Sequence, residues 1–498
     1  MRNPAIDRQP RVTLPQLIEE FLHFERQQNP ASLEVAGVEI WAYLRQRLFD
    51  DWSRTRGVHA ERQSTPTRRY GRHALAQRRE LGQVLRRYDP RRLTRAPVLF
   101  LSHSRHAALD AQHVSPYTHF LLRALPRDSY WDLQFSDGGK HHVDDGLERV
   151  LYLDALHQGA FKGYALARRW GSFRRTLSAA ARDLGALVQR ELGFAPDAAR
   201  LDQLVWNAVR TQHGWGSVCE RLLDRVQPKL IVNVVHYNWP TLTLTERAHR
   251  RGIEVAELQH GTVSPEHIAY NVGLPQRSRT TPDHFLSFGE FWSQMVRGLG
   301  LPPERTPAIG FSWLENRMAG VARAPSKTLL VLSQRAIAVE LSRFAVEVAQ
   351  RVAPHGWRVV YRLHAGEIAD YRERLPWLLD APLEVCAGGV DLYRQFGEVG
   401  AQLGAFSTAL FEGVAFALPT LVLRLPGSAV LEPLVQAGAA RYVERASEVV
   451  DALRELGGEG PAPDLVQRVW KPRAAENFRR FVESQVGKTG SAPGRGVA

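Results

Sequence analysis

"KLIVNVVHYNWPTLTLTERAHRRGIEVAELQHG" runs from Lys229 to Gly261. It opens with an apolar run that ends at His236 and Tyr237, as expected of a strand buried on both faces. "TLTLTERAHRRG" follows as a helix stopped by Gly252. "IEVAELQHG" is a second apolar run, ending abruptly in Gln259, His260 and Gly261. Strand, helix, strand within about 35 residues is a βαβ unit.

The same grammar extends in both directions. "APVLFLSHS" is a buried strand with a polar end, and Tyr164 to Leu192 and Leu201 to Val226 read as helices. "KTLLVLSQR", "WRVVYRLHAGE" and "AQLGAFSTALFEGVAFALPTLVL" repeat the strand and helix pattern in the second half. "PGSAVLEPLVQAGAARYV" adds a helix and a strand. Leu14 to about Trp52 reads as two helices, the second beginning in "GVEIWAYL".

The expected fold is α/β, with two facing Rossmann-like domains behind a helical, Arg-rich extension. The expected divisions are 1–96 for the extension, 97–312 for the first domain and 313–326 for a linker. The second domain takes 327–485, and 486–498 is a Gly-rich tail expected to be disordered. Ligands of open α/β sheets bind at the carboxyl ends of the strands, so two such domains offer those ends to one shared cleft.

The 498 residues suit two or three domains, with 44% hydrophobic and 23% charged residues. Two distant cysteines, Cys219 and Cys386, exclude a disulfide framework and a cysteine-ligated zinc site. The N-terminus has no secretory h-region, and no run of about 18 apolar residues is present. A cytoplasmic location is expected, at most peripheral to the inner membrane. Net charge is +13, and thirteen arginines fall between Arg54 and Arg95. That segment reads as a solvated linker or as a patch for anionic lipid. Nucleic acid ranks last, because no nucleic-acid motif accompanies the charge.

Polar residues at strand ends are the candidate site. His260 suits general-base work, and Gly261 allows a tight turn or a close approach before Thr262. In "YRLHAGE", Arg362 and His364 could meet a phosphate, and Glu367 could accept from a ribose or sugar hydroxyl. Ser407 and Thr408 open a helix, where capping and phosphate binding use the same residue types. Glu412 lies one turn further on. His103, Arg105, His236 and Tyr237 end two other strands. "LSQR", ending at Arg335, is a weaker candidate for a phosphate contact. His141-His142 with Asp144-Asp145 has the composition of a metal cluster, but adjacent histidines rarely ligate one ion together, and no metal or cofactor is expected. GxGxxG, GxxxxGK[ST] and GxSxG are absent.

"ELQHGTVSPEHIAYN", "RLHAGE", "GAFSTALFEGVAFALPTLVL" and the opening stretch together resemble bacterial GT-B glycosyltransferases of capsule and surface polysaccharide synthesis. The resemblance covers roughly Ala96 to Gln485. Related sialyl-, Kdo- and polyol-phosphate-transferring families carry a His-Pro motif and a Ser-Ser/Thr motif. Here these read His364-Ala365 and Ser407-Thr408. The Trp that often precedes the N-domain histidine is Gln259. The resemblance implies a nucleotide-sugar donor held by Arg362, His364, Ser407, Thr408 and Glu412. It implies a saccharide or lipid-linked acceptor, deprotonated by His260 without a metal. Rival readings are a CDP-glycerol-type polyol-phosphate transferase, a non-hydrolysing UDP-HexNAc 2-epimerase and a non-enzymatic carbohydrate-binding scaffold.

Overall fold

The structure is a computed structural model that describes all residues except 1–11, 59–85, 111, 138–139, 143–146, 168–170, 325, 456–459 and 488–498. Most of the Arg-rich segment, Asp144-Asp145 and the Gly-rich tail lie outside the described residues. The chain divides into two compact units. The first comprises Met1–Ser287, Trp292–Ile309 and Ala474–Ala498. The second comprises Phe288–Phe291 and Gly310–Arg473.

The first unit is built on a six-stranded sheet. Its strands are β3 (Val98–Leu101), β6 (Tyr130–Gln134), β7 (Val150–Tyr152), β8 (Leu230–Val234), β9 (Glu254–Leu258) and β10 (His284–Leu286). All are parallel, in the order β10-β9-β8-β3-β6-β7. The apolar runs fall on these strands because each is covered on both faces: every residue of β3 and β8 is buried. Two small antiparallel hairpins, β1–β2 (Glu34–Val35, Val38–Glu39) and β4–β5 (Ala107–Leu109, Gln112–Val114), complete the strands of this unit.

The second unit repeats the plan with β11 (Thr328–Leu332), β12 (Arg358–Arg362), β13 (Glu384–Cys386), β14 (Ala401–Gly404), β15 (Thr420–Leu423) and β16 (Arg441–Val443). The order is β13-β12-β11-β14-β15-β16, again all parallel. Counted within its own sheet, each order is 3-2-1-4-5-6, the doubly wound Rossmann arrangement. The strand order reverses between β3 and β8 in the first unit and between β11 and β14 in the second. The chain thus has two Rossmann-like α/β units. Among the described residues no helix is long and apolar enough to cross a membrane.

The expected divisions shift at both ends. The N-terminal helices, Leu14–Gln28 and Trp41–Thr55, do not form a separate extension. Leu17, Phe21, Trp41 and Trp52 share a core with Leu184, Leu201 and Ile268 of the first unit. Each such buried side chain contributes about 1.5–3 kcal/mol, enough to hold the helices down. At the other end, the helix Ala474–Val486 belongs to the first unit, not to the second. Its Phe478 packs on Phe100 of β3. "GVEI" is also not helical: Ala36 and Gly37 take positive φ in the turn between β1 and β2, and the helix starts at Trp41.

Candidate functional site

At the switch point of the first unit, β8 ends in an uncommon backbone. Val235 has φ of 72°, a left-handed conformation that a β-branched side chain resists. Such strain costs about 1–3 kcal/mol and gathers at functional sites. Its effect is to turn His236 back toward β9. Asn238 then caps the helix Trp239–His249 by accepting from the Thr241 amide at 3.0 Å.

His236 meets Glu257, a residue of β9 with no exposed surface. The His236 amide donates to one carboxylate oxygen at 3.1 Å, and the Tyr270 hydroxyl donates to the same oxygen at 2.9 Å. The His236 Nδ1 lies 2.6 Å from the other. Burial pushes the Glu257 carboxyl up, but the adjacent His236 ring and its hydrogen bonds outweigh it, and the net shift is down. An ionised carboxylate only accepts hydrogen bonds. Nδ1 of His236 therefore carries its hydrogen, and in the neutral ring the lone pair sits on Nε2.

His236 lines a cavity of about 780 Å³ within the first unit. His103, Tyr237, Trp239, Tyr43 and Arg47 also line it. The N-terminal helices thus supply part of the wall. They are anchored by Glu25, fully buried, which accepts from Trp41, twice from Arg45, and from the Gly273 amide at 2.9 Å. Arg45 also donates to the carbonyls of Ile268 and Asn271. Gly273 is required here: a Cβ would fall 2.2 Å from the Leu22 carbonyl oxygen.

His260 is half-buried beside Tyr237. Its Nε2 lies 3.1 Å from the Tyr237 hydroxyl, and its ring stacks near His103 at 6.2 Å between centroids. Nδ1 is enclosed and has no hydrogen-bond partner in the protein. Burial pushes the ring down to about 3, with Glu257 opposing and His103 adding to the shift. His103 is likewise pushed down to about 4, by burial and then by Arg105. Arg105 itself is exposed. Gln259 is buried and donates to the Gly261 carbonyl at 2.9 Å, bracing the turn. Gly261 needs no special freedom: its φ is not left-handed, and a Cβ there would meet nothing within 4 Å. Thr262 is partly buried. The structure therefore brings His103, His236 and Tyr237 to the cavity wall, with His260 beside Tyr237.

In the second unit, Glu367 departs from its expected place. It is fully buried, accepting from Ser333 Oγ at 3.0 Å and from the His364 amide at 2.6 Å. Two donors already hold it, so it braces its own loop and is not offered to a sugar hydroxyl. Arg362 also turns inward, its Nη1 donating to the Val390 carbonyl at 3.0 Å and to Gln395 at 2.8 Å. Arg335 pairs with Asp370, at 2.7 and 3.1 Å. Glu412 is engaged by the Tyr393 hydroxyl. His364 is exposed, with Nδ1 accepting from the Gly366 amide at 3.1 Å. Ser407 caps the helix Thr408–Ala415 by accepting from the Ala409 amide at 3.3 Å, and Thr408 is exposed at its start. Among Arg362, His364, Glu367, Ser407, Thr408 and Glu412, the exposed ones are thus His364 and Thr408.

Sequence reasoning missed Glu257, Tyr270 and the Glu25–Arg45 anchor. The signal for Glu257 was present: a carboxylate inside the apolar run "EVAEL" must be paired if the strand is covered on both faces.

No family model matches the chain, and no curated protein matches it in sequence. Among solved structures it is similar to a UDP-N-acetylglucosamine 2-epimerase from Listeria monocytogenes. The identity is 11% and the TM-score 0.48, over 79% of this chain and 98% of that one. The UDP-GlcNAc 2-epimerase of Neisseria meningitidis gives 10% and 0.47, over 78% and 99%. A glycotransferase of kitacinnamycin gives 13% and 0.41, over 78% and 95%. Likeness of this degree carries no inference about substrate or reaction.

Proposed function

We propose that the protein is an enzyme acting on a nucleotide-sugar, and that it transfers the sugar to a hydroxyl of a saccharide or lipid-linked acceptor. The observation that carries the reading is the His236–Glu257 pair on the wall of the 780 Å³ cavity. Glu257 fixes the tautomer, so Nε2 of His236 is the base. We thereby move the role expected of His260, whose Nε2 lies against the Tyr237 hydroxyl and whose Nδ1 is enclosed, to His236.

In the proposed step, Nε2 takes the proton of the acceptor hydroxyl. That oxygen forms a bond to the anomeric carbon, and the bond from this carbon to the phosphate oxygen breaks. The electron pair leaves with the nucleotide. In the second unit, the exposed start of the helix Thr408–Ala415 and the exposed His364 are the groups we assign to the nucleotide phosphates.

A second reading is epimerisation at a sugar carbon, which needs proton-handling groups on two sides of that carbon. The crowd of imidazoles around His236 favours it: His103 shares the cavity wall, and His267 packs on Tyr270 at 4.8 Å. Incubation with UDP-, CMP-, GDP-, dTDP- and CDP-sugars, with and without oligosaccharide acceptors, tests both. Transfer predicts nucleotide release that depends on acceptor. Epimerisation predicts an altered sugar without one. No turnover and no thermal shift with any nucleotide would contradict both.

A further inference from the structure

Next to the cavity, four more side chains converge in the first unit. His106 directly precedes β4, and His113 lies in β5. Asp137 and His142 follow β6. One ligand atom each of His106, Asp137 and His142 lie within 4.8 Å of one another. The His142 ring is 4.8 Å from that of His106 and 4.8 Å from that of His113, between centroids.

The orientation of His106 is already that of a ligand. Its Nδ1 lies 2.8 Å from the Ser104 carbonyl oxygen. A carbonyl only accepts, so Nδ1 bears the hydrogen and Nε2 the lone pair. Metal-bound histidines are held in this way by a carbonyl or carboxylate behind them. Asp137 is fixed too, by reciprocal backbone bonds with Lys140 at 2.9 and 3.0 Å.

We propose that His106, Asp137 and His142 bind one divalent transition-metal ion of the zinc class, with His113 within reach as a fourth ligand. Imidazole and carboxylate together suit zinc, whereas magnesium and calcium favour sites made of oxygen alone. Zinc ligands at their usual bond lengths sit about 3.4 Å apart in a tetrahedron, so the side chains close by about 1 Å on binding. This differs from the His141-His142 cluster suggested by adjacency. His141 turns away, with Nε2 3.2 Å from Asp154 and its ring stacked on Tyr152. An ion here would pin the segment from Ser102 to His106, and with it His103 on the cavity wall. The inference does not rest on the transfer reading.

The test uses the untagged full-length chain, dialysed against micromolar ZnCl2 and analysed for bound metal. Co2+ in place of Zn2+ reports four-coordinate geometry by its visible absorption. The expected result is one ion per chain, with a raised unfolding midpoint. His106→Gln combined with His142→Gln loses the ion, and His23→Gln, on the exposed surface, keeps it. Asp137→Asn serves if the double variant fails to fold, and weakens binding at least about tenfold. A wild-type chain that takes up no ion, or an Asp137→Asn or double variant that binds it as tightly as wild type, overturns the proposal.

Discussion

Glu257 in the first unit and Glu367 in the second are both fully buried, and the two carboxylates serve different ends. Glu257 accepts from a side chain that lines a cavity. Glu367 accepts from Ser333 and from a backbone amide of its own loop. Glu257 lies within β9, whereas Glu367 lies in the loop after β12, and the two sheets share one strand order. What distinguishes them is the donor. A carboxylate that holds an imidazole ring sets the ring's tautomer and so its chemistry. A carboxylate that holds an amide sets only the loop's shape.

Matched substitutions break or sharpen this contrast. Glu257→Gln is expected to lower turnover about 10²-fold or more, because the ring loses its fixed tautomer. Glu367→Gln is expected to lower stability by about 1–3 kcal/mol in urea unfolding, with turnover within about tenfold of wild type. Equal losses of turnover in the two variants would erase the distinction.

Acid offers a second comparison. His260 is held at about 3, and His103 and His267 at about 4, each first by burial. Their unfolded value is about 6.5, so between these limits the unfolded chain binds more protons. The first unit is therefore expected to lose stability as pH falls from about 6.5 toward 4. Urea midpoints across that range check the sign, and His260→Asn is expected to flatten the slope.

Smaller effects separate supporting residues from the proposed base. His260→Ala removes one hydrogen bond from Tyr237, worth about 1 kcal/mol, and is expected to slow turnover only several-fold. Ser407→Ala removes a helix cap and is expected to lower stability by about 1 kcal/mol, measured by thermal unfolding.

The parallel sheets were legible because short, bounded apolar runs such as "VLFL" and "TLLVL" suit strands covered on both faces. Strands such as "YWDLQ" were not, since Asp132 and Gln134 interrupt the apolar signal. Asp132 is nonetheless fully buried, accepting from Ser102 and Gln134 at 2.6 Å each. Polar partners of this kind are distant in sequence and invisible to periodicity. The candidate site shows the same limit. The histidines at strand ends were legible, but their ranking was not. The proposed ranking of His236 above His260 rests on Glu257 and the cavity, neither of which the strand-end pattern contains. The return of Ala474–Val486 to the first unit was hidden for a similar reason, since an amphipathic helix does not name the surface it covers.

Turnover and nucleotide affinity of His236→Ala, measured beside His260→Ala on the identified nucleotide-sugar, test the central assignment. The account predicts that His236→Ala loses about 10²–10⁴-fold in turnover with nucleotide affinity unchanged, while His260→Ala loses only several-fold. Full turnover in His236→Ala, with turnover abolished in His260→Ala, would contradict it.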